Sequence, residues 1–231
     1  MQFSRFTALI GTNAYETLVS KTILIAGLGG VGSFVFEALL RSGIKSLIIV
    51  DHDTFDITNC NRQLGATLET VGQKKVHVAS SHARVVHPEA SIHALDLFID
   101  DSTIQSLFEH KIDYIVDCVD SMQAKLLLIQ YASIHHIPIV CSMGFANKLH
   151  PEKIKIAKLN QTSVCPLAKE LRRRVKQAGI PLNPDVVYSE ETPILSHTEG
   201  LKLASSSFTP STAGLLMASV VVNHFIQGGT L

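Results

Sequence analysis

From Thr22 to about residue 143 the chain alternates two kinds of stretch. Short, continuously apolar runs rich in β-branched residues lie at 22–26, 46–51, 91–95, 114–120 and 138–143. Longer stretches, in which apolar positions recur at helical spacing, lie at about 33–42, 73–86, 103–109 and 123–135. A strand that is apolar on both faces must be covered on both, and a helix between successive strands makes them parallel. Residues 1–145 therefore read as a doubly wound, Rossmann-like α/β unit with a mainly parallel sheet.

After Gly144 the rhythm changes. Residues 153–159, Lys-Ile-Lys-Ile-Ala-Lys-Leu, alternate as a half-solvated strand does, residues 165–179 form a basic helix ended by glycine, and residues 181–193 read as a proline-broken loop or edge strand. We expect residues 146–210 to be a substrate-binding excursion from a single domain of residues 1–231, not a second core. Residues 211–231 then contain a helix that returns to the sheet.

Composition narrows the class. The 231 residues are 46% hydrophobic, enough for one substantial core, and 20 basic residues balance 20 acidic ones, so attraction to a polyanion has to come from a local patch. The apolar run at 213–222 falls well short of the ~20 residues needed to span a bilayer. It reads as a buried helix, and no stable membrane insertion is expected. The N-terminus lacks the basic start and long apolar run of a secretory signal. Cys60, Cys118, Cys141 and Cys165 form no C-x-x-C pair, which argues against thiolate zinc and a disulfide framework and for a reducing, cytoplasmic setting.

The chemistry begins at the first strand. Gly27, Gly29 and Gly32, with Gly30 among them, fit G-x-G-x-x-G at a strand–helix junction, where a phosphate approaches backbone N–H groups at a helix start. Asp51 ends the second strand, where an acid can accept hydrogen bonds from ribose hydroxyls. That much describes a nucleotide or a dinucleotide. Beyond Asp51 come Asp53, Asn59, Arg62 and Gln63, and then Lys75. Two cations have little use at a nicotinamide site, but they can offset the β- and γ-phosphates of a triphosphate as pyrophosphate departs. Asp120, after the strand that begins near residue 114, stands where a magnesium-binding carboxylate is wanted. The competing reading, an NAD-dependent oxidoreductase or a nucleotide-binding scaffold, predicts tight NAD binding and no ATP cleavage.

The motifs GLGGVGS, D-x-D, N-x-x-R-Q, the G-x-x-K at 72–75 and DCVDS closely resemble the adenylating fold of the E1-like activating enzymes, the ThiF and MoeB family. The resemblance implies that Asp51 holds the ATP ribose, that Asn59, Arg62 and Lys75 hold the phosphates and that Asp120 holds Mg2+. It also implies a homodimer in which Arg5 crosses the interface to the partner's ATP. In this family a carboxylate attacks the α-phosphate and forms an acyl adenylate.

Two substrates compete for that role. Relatives that adenylate the C-terminal glycine of a ubiquitin-like sulfur carrier usually carry two zinc-binding C-x-x-C pairs, which are missing here. Residues 145–159, 162–180, 186–193 and 205–219 are instead similar to the tRNA threonylcarbamoyladenosine dehydratase subfamily. This implies ATP-dependent cyclisation of N6-threonylcarbamoyladenosine at tRNA position 37, a ligase-type tRNA modification. From 148 to 176 there are nine basic residues against two acids. Lys148, Lys169, Arg172, Arg173, Arg174 and Lys176 of this stripe are expected to contact tRNA phosphodiesters. The sequence leaves open whether Na+ or K+ binds near residues 205–207, and whether a cysteine desulfurase or sulfur acceptor is a partner.

Other residues read as structural. Cys165 lacks an evident base and is expected to be structural rather than thioester-forming, and Cys118 and Cys141 to be packing residues. Cys60 is not expected to react. The eleven histidines lack metal-ligand spacing. Asp53 and Asp117 are weaker candidates than Asp120 for the magnesium shell, and Asp117 reads equally as a strand-end residue.

Overall fold

The computed structural model describes residues 2–194, 197, 198, 200 and 203–226. Seven strands form one sheet: Thr22–Ala26 (β1), Ser46–Val50 (β2), Ser91–Leu95 (β3), Tyr114–Asp117 (β4), Ile139–Ser142 (β5), Ile154–Lys158 (β6) and Asp185–Ser189 (β7). Their order is β3-β2-β1-β4-β5-β7-β6, and every pairing is parallel except β6 with β7. The helices are Ser4–Ile10 (α1), Thr12–Val19 (α2), Gly32–Arg41 (α3), Lys75–Val86 (α4), Ile104–Leu107 (α5), Met122–Ile134 (α6), Pro166–Gln177 (α7) and Phe208–Ile226 (α8).

The central strands show why they had to be apolar throughout. Along β1, Ile23 and Ile25 point into a core shared with Val35 and Leu39 of α3 and Ala213 and Met217 of α8. Leu24 and Ala26 point the other way, into a core shared with Leu128 of α6 and Leu171 of α7. Successive side chains of a strand alternate faces, so two helical layers require two apolar sets from each strand. Helix α8 lies against the sheet, burying Ala213, Met217, Val220 and Val221, while residues 227–231 of the expected segment lie outside the described residues. Among the described residues no helix is long and apolar enough to cross a membrane.

Two regions differ from the sequence reading. Residues 185–189 are not a loop or an edge: β7 lies inside the sheet, between β5 and β6, with Val186, Val187 and Tyr188 buried. Pro181 and Pro184 precede the strand, so their missing N–H groups fall outside the ladder. The edge is β6, whose Lys155 and Lys158 face solvent, as charged residues on an edge strand do. The segment after residue 146 is thus continuous with the sheet, and α7 adds Ala168, Leu171 and Val175 to the second core. The first twenty residues, where no element was expected, form α1 and α2, with Leu18 buried and Phe6 and Ile10 packed partly against the first core.

Candidate functional site

The strand order reverses between β1 and β4, and the loops at their carboxyl ends touch. In a doubly wound sheet this crevice is where ligands bind. Gly27 has φ +89°, and a Cβ there would lie 2.8 Å from the Cys118 carbonyl oxygen. A Cβ on Gly32 would lie 1.8 Å from the Gly27 oxygen. Side chains are therefore barred at both ends of the turn, which keeps the start of α3 bare.

Asp51 locks this turn. Its Oδ2 accepts the Leu28 N–H at 2.6 Å and its Oδ1 accepts the Asp53 N–H at 2.9 Å, in a position only 8% exposed. Each oxygen keeps a second lone pair. Lys75, the first residue of α4 and 4% exposed, places Nζ 2.7 Å from Asp53 Oδ2 and 3.9 Å from Asp51 Oδ2. Partial burial favours the neutral form of Asp53. The hydrogen bond and charge of Lys75, with His52 and Lys74 behind it, outweigh that and hold the carboxyl below its ordinary value.

The loop after β2 is a chain of turns. Asp56 accepts from Thr58 and donates its N–H to Asn59 Oδ1 at 3.1 Å, closing the short helical turn at 57–59. Arg62 Nη1 donates to the Thr58 carbonyl at 3.0 Å and to Asn61 Oδ1 at 2.9 Å, while Nε and Nη2 have no partner among the described residues. A Cβ on Gly30 would meet Arg62 Cγ at 3.4 Å and Pro210 Cβ at 3.2 Å, so the arginine stem and the first turn of α8 flank the glycine turn. Asn59 thus serves its own turn and Lys75 its acids, while Arg62 keeps donors for a ligand.

Asp120 is exposed in the loop that follows β4, three residues past the strand's last residue. It has no ion pair among the described residues, and the adjoining Cys118 and Val119 backbone packs on Gly27. Asp117 cannot join a metal shell: it is fully buried and bound to the ammonium of Lys125 at 3.0 Å and 3.1 Å, so this expectation is corrected. Lys125 went unremarked because nothing in residues 117–125 distinguishes it from a solvated helix lysine. Arg5 is exposed on α1. The group Asp51, His52 and Asp53 brings possible metal-ligand atoms within 4.8 Å, but the ammonium of Lys75 faces the same carboxylates.

The basic stripe is largely neutralised by the fold. Lys148 is 2% exposed, with Nζ donating to the Ser189 carbonyl at 3.3 Å, and burial lowers its pKa. Arg172 turns inward, donating to the Thr162 carbonyl at 2.9 Å and to its hydroxyl, so that it ties α7 to residues 159–162. Both are therefore corrected as surface phosphate contacts. Arg173 and Arg174 share Glu170, whose carboxyl they hold at about 2. Lys155 pairs with Glu190 at 2.7 Å and Lys158 with Asp185 at 2.8 Å, both acids coming from β7 or its end. Lys169 and Lys176 stay exposed and unpaired among the described residues.

Residues 204–209 are stitched to the site's rim. Asn61 Nδ2 donates to the Ser205 carbonyl at 2.9 Å, Ser206 Oγ to the Lys148 carbonyl at 3.2 Å and Thr209 Oγ1 to the Phe145 carbonyl at 3.2 Å. Glu191, buried and missed in the sequence, accepts the Leu149 and His150 N–H groups. Cys165 is 4% exposed at the start of α7. Burial pushes the Cys118 and Cys141 thiols far up, in keeping with packing roles.

A mainly parallel doubly wound sheet, with a bare glycine turn at its switch point and an arginine- and lysine-bearing loop over it, defines an α/β nucleotide-binding protein of E1-like type. The chain belongs to the ThiF family, whose model matches residues 3–228. It is 38% identical to the tRNA threonylcarbamoyladenosine dehydratase of Bacillus subtilis, over 98% of this chain and 95% of the relative. It is 31% identical to the Escherichia coli protein of the same name, over 86% of this chain and 77% of the relative. The crystal structure of the E. coli enzyme with AMP superposes at a TM-score of 0.93 with 29% identity, covering 98% of this chain and 94% of the other. The same enzyme with ATP gives 0.91 with 28% identity and the same coverage.

Proposed function

We propose that this protein uses ATP to dehydrate N6-threonylcarbamoyladenosine at position 37 of tRNA, closing it to the cyclic form. The observation that carries this reading is the resemblance to tRNA threonylcarbamoyladenosine dehydratases along nearly the whole chain, at 38% identity to the B. subtilis enzyme. The donor-rich crevice at the glycine turn supports it.

The threonyl carboxylate attacks the α-phosphorus of ATP, the bond to the β-phosphate breaks, and pyrophosphate leaves. The ureido nitrogen then attacks the acyl carbon and loses its proton, and AMP departs with the former carboxylate oxygen. The base is lighter by one water. Because nucleophile and electrophile belong to one side chain, proximity does the work that a covalent enzyme intermediate does elsewhere.

In this reading Asp51 offers its free lone pairs to the ribose hydroxyls while fixing the turn. Arg62 turns Nε and Nη2 to the outer phosphates, and Lys75, with two of its three donors free, shares its charge between Asp53 and the nucleotide. Asp120 holds Mg2+, which when bound offsets phosphate charge. Arg5 serves the partner's nucleotide in a homodimer, and its exposure on α1 with no partner among the described residues supports that role. Lys169, Lys176 and Arg173 on the outer face of α7 meet the tRNA backbone. A tRNA substrate accords with a cytoplasmic setting.

Incubation with ATP, Mg2+ and either modified tRNA or sulfur-carrier proteins tests the reading. AMP together with a nucleoside lighter by one water supports it. AMP formed only with a carrier protein overturns it.

A further inference from the structure

Gln63 is 7% exposed, and its side-chain Oε1 is buried with no hydrogen-bond partner. Its Nε2 makes no hydrogen bond among the described residues either. The backbone around it is tightly held: its N–H donates to the Asn59 carbonyl at 2.9 Å, its carbonyl accepts the Ala66 N–H at 3.0 Å, and the next N–H, of Leu64, donates to Ser33 Oγ in the first turn of α3 at 3.2 Å. Oε1 is the buried end of this amide, whereas Nε2, with no hydrogen bond among the described residues, is not among the buried unpaired atoms, so the rigid frame holds the donor end open to a partner from outside the fold.

The direction it faces identifies that partner. Apart from Gly29's own chain neighbours, Gln63 Nε2 is the atom among the described residues that comes within 4.0 Å of where a side chain on Gly29 would stand. The space above Gly29 is thus bounded by the bare start of α3, a place for an anion, and by one amide. Leu28, the residue before Gly29, is held by Asp51 at the end of β2. Since Asp51 is the ribose acid, the anion over Gly29 is the phosphate next to the ribose, with Arg62 and Lys75 reaching the outer ones.

We infer that Gln63 donates an Nε2–H bond to a non-bridging oxygen of the α-phosphate, the phosphorus that the substrate carboxylate attacks. This rests on the adenylating reading of the site. The anion also fixes the amide's orientation, since turning it over would aim Oε1 at negative charge. Charge on the α-phosphate oxygens rises as the attacking bond forms, so the donor counts for more in the transition state than in the ground state.

Titration calorimetry with AMP and with adenosine separates this contact from a packing role. Gln63→Met is expected to lose about tenfold in AMP affinity while binding adenosine as the native protein does, and Gln63→Glu to lose about a hundredfold. Gly29→Ala, whose methyl meets nothing nearer than 4.0 Å among the described residues other than its chain neighbours, is expected to fold normally and to lose AMP binding for want of space. Unchanged AMP affinity in the Gln63 variants, or equal losses for AMP and adenosine, overturns the assignment. If the Gln63 variants do not fold, retained AMP affinity in Gly29→Ala overturns it alone and lost affinity supports it. A native protein that binds AMP but leaves modified tRNA unchanged refutes the substrate reading, and the titrations still decide on Gln63.

Discussion

The Lys125 ammonium lies 3.0 Å and 3.1 Å from the two carboxylate oxygens of Asp117, and both side chains are buried beneath the loop that bears Asp120. Asp117 also accepts the Val119 N–H at 3.1 Å, so the pair holds the first residues of that loop. Removing one partner strands a buried charge. Lys125→Met is expected to cost about 3–5 kcal/mol of unfolding free energy, measured in urea, and Asp117→Asn in that background to restore part of it. A loss below about 1 kcal/mol would show that the pair does not hold the loop.

Asp120 itself is exposed and makes no hydrogen bond or ion pair among the described residues. Asp120→Ala is expected to keep the melting temperature within about 2 °C of the native protein and to abolish tRNA-dependent AMP formation. Full turnover in this variant would remove its assigned role.

The tertiary pairing of the basic stripe separates two classes of residue. Lys169→Gln together with Lys176→Gln is expected to weaken binding of modified and unmodified tRNA alike, and to flatten the log-affinity against log-salt slope by about one unit per charge removed. Arg172→Ala is expected to leave that slope unchanged and to lower thermal stability, because its guanidinium holds residues 159–162. A salt slope altered by Arg172→Ala but not by the lysine pair would reverse this division.

Glu191 links the rim of the site to pH. Burial alone would raise its pKa, but the Leu149 and His150 N–H groups, with the charges of His150 and Lys153, bring it below the ordinary value. Its stabilisation is therefore complete above the unfolded-state value of about 4.3 and is lost as pH falls through the lower folded-state value. Glu191→Gln is expected to be destabilised at pH 7 and to show a shallower fall in stability below about pH 4.3, measured by denaturant titration across pH. Parallel profiles for the two proteins would exclude this role.

The parallel core and the glycine turn were legible because their causes are local. Uniformly apolar runs such as Ile23–Leu24–Ile25 demand cover on both faces, and closely spaced glycines mark a backbone that must stay bare. The Arg62 and Lys75 motif was likewise readable, since both cations follow a strand-end acid at short range.

What the sequence alone determined was therefore the parallel sheet, its bare glycine turn and the residue types gathered near it. The tertiary structure alone decided which charges remain free. Asp185 and Glu190 reach Lys158 and Lys155 only because β7 pairs inside the sheet against β6, and Lys148 leaves the surface only when Ser189 is brought over it. A count of charges along the chain cannot register these pairings, because Coulomb interaction and desolvation depend on distance and burial in the folded state and not on separation in sequence. The same holds for Gln63, which the sequence marks only as part of a motif until the fold closes around it and leaves its amide facing the turn.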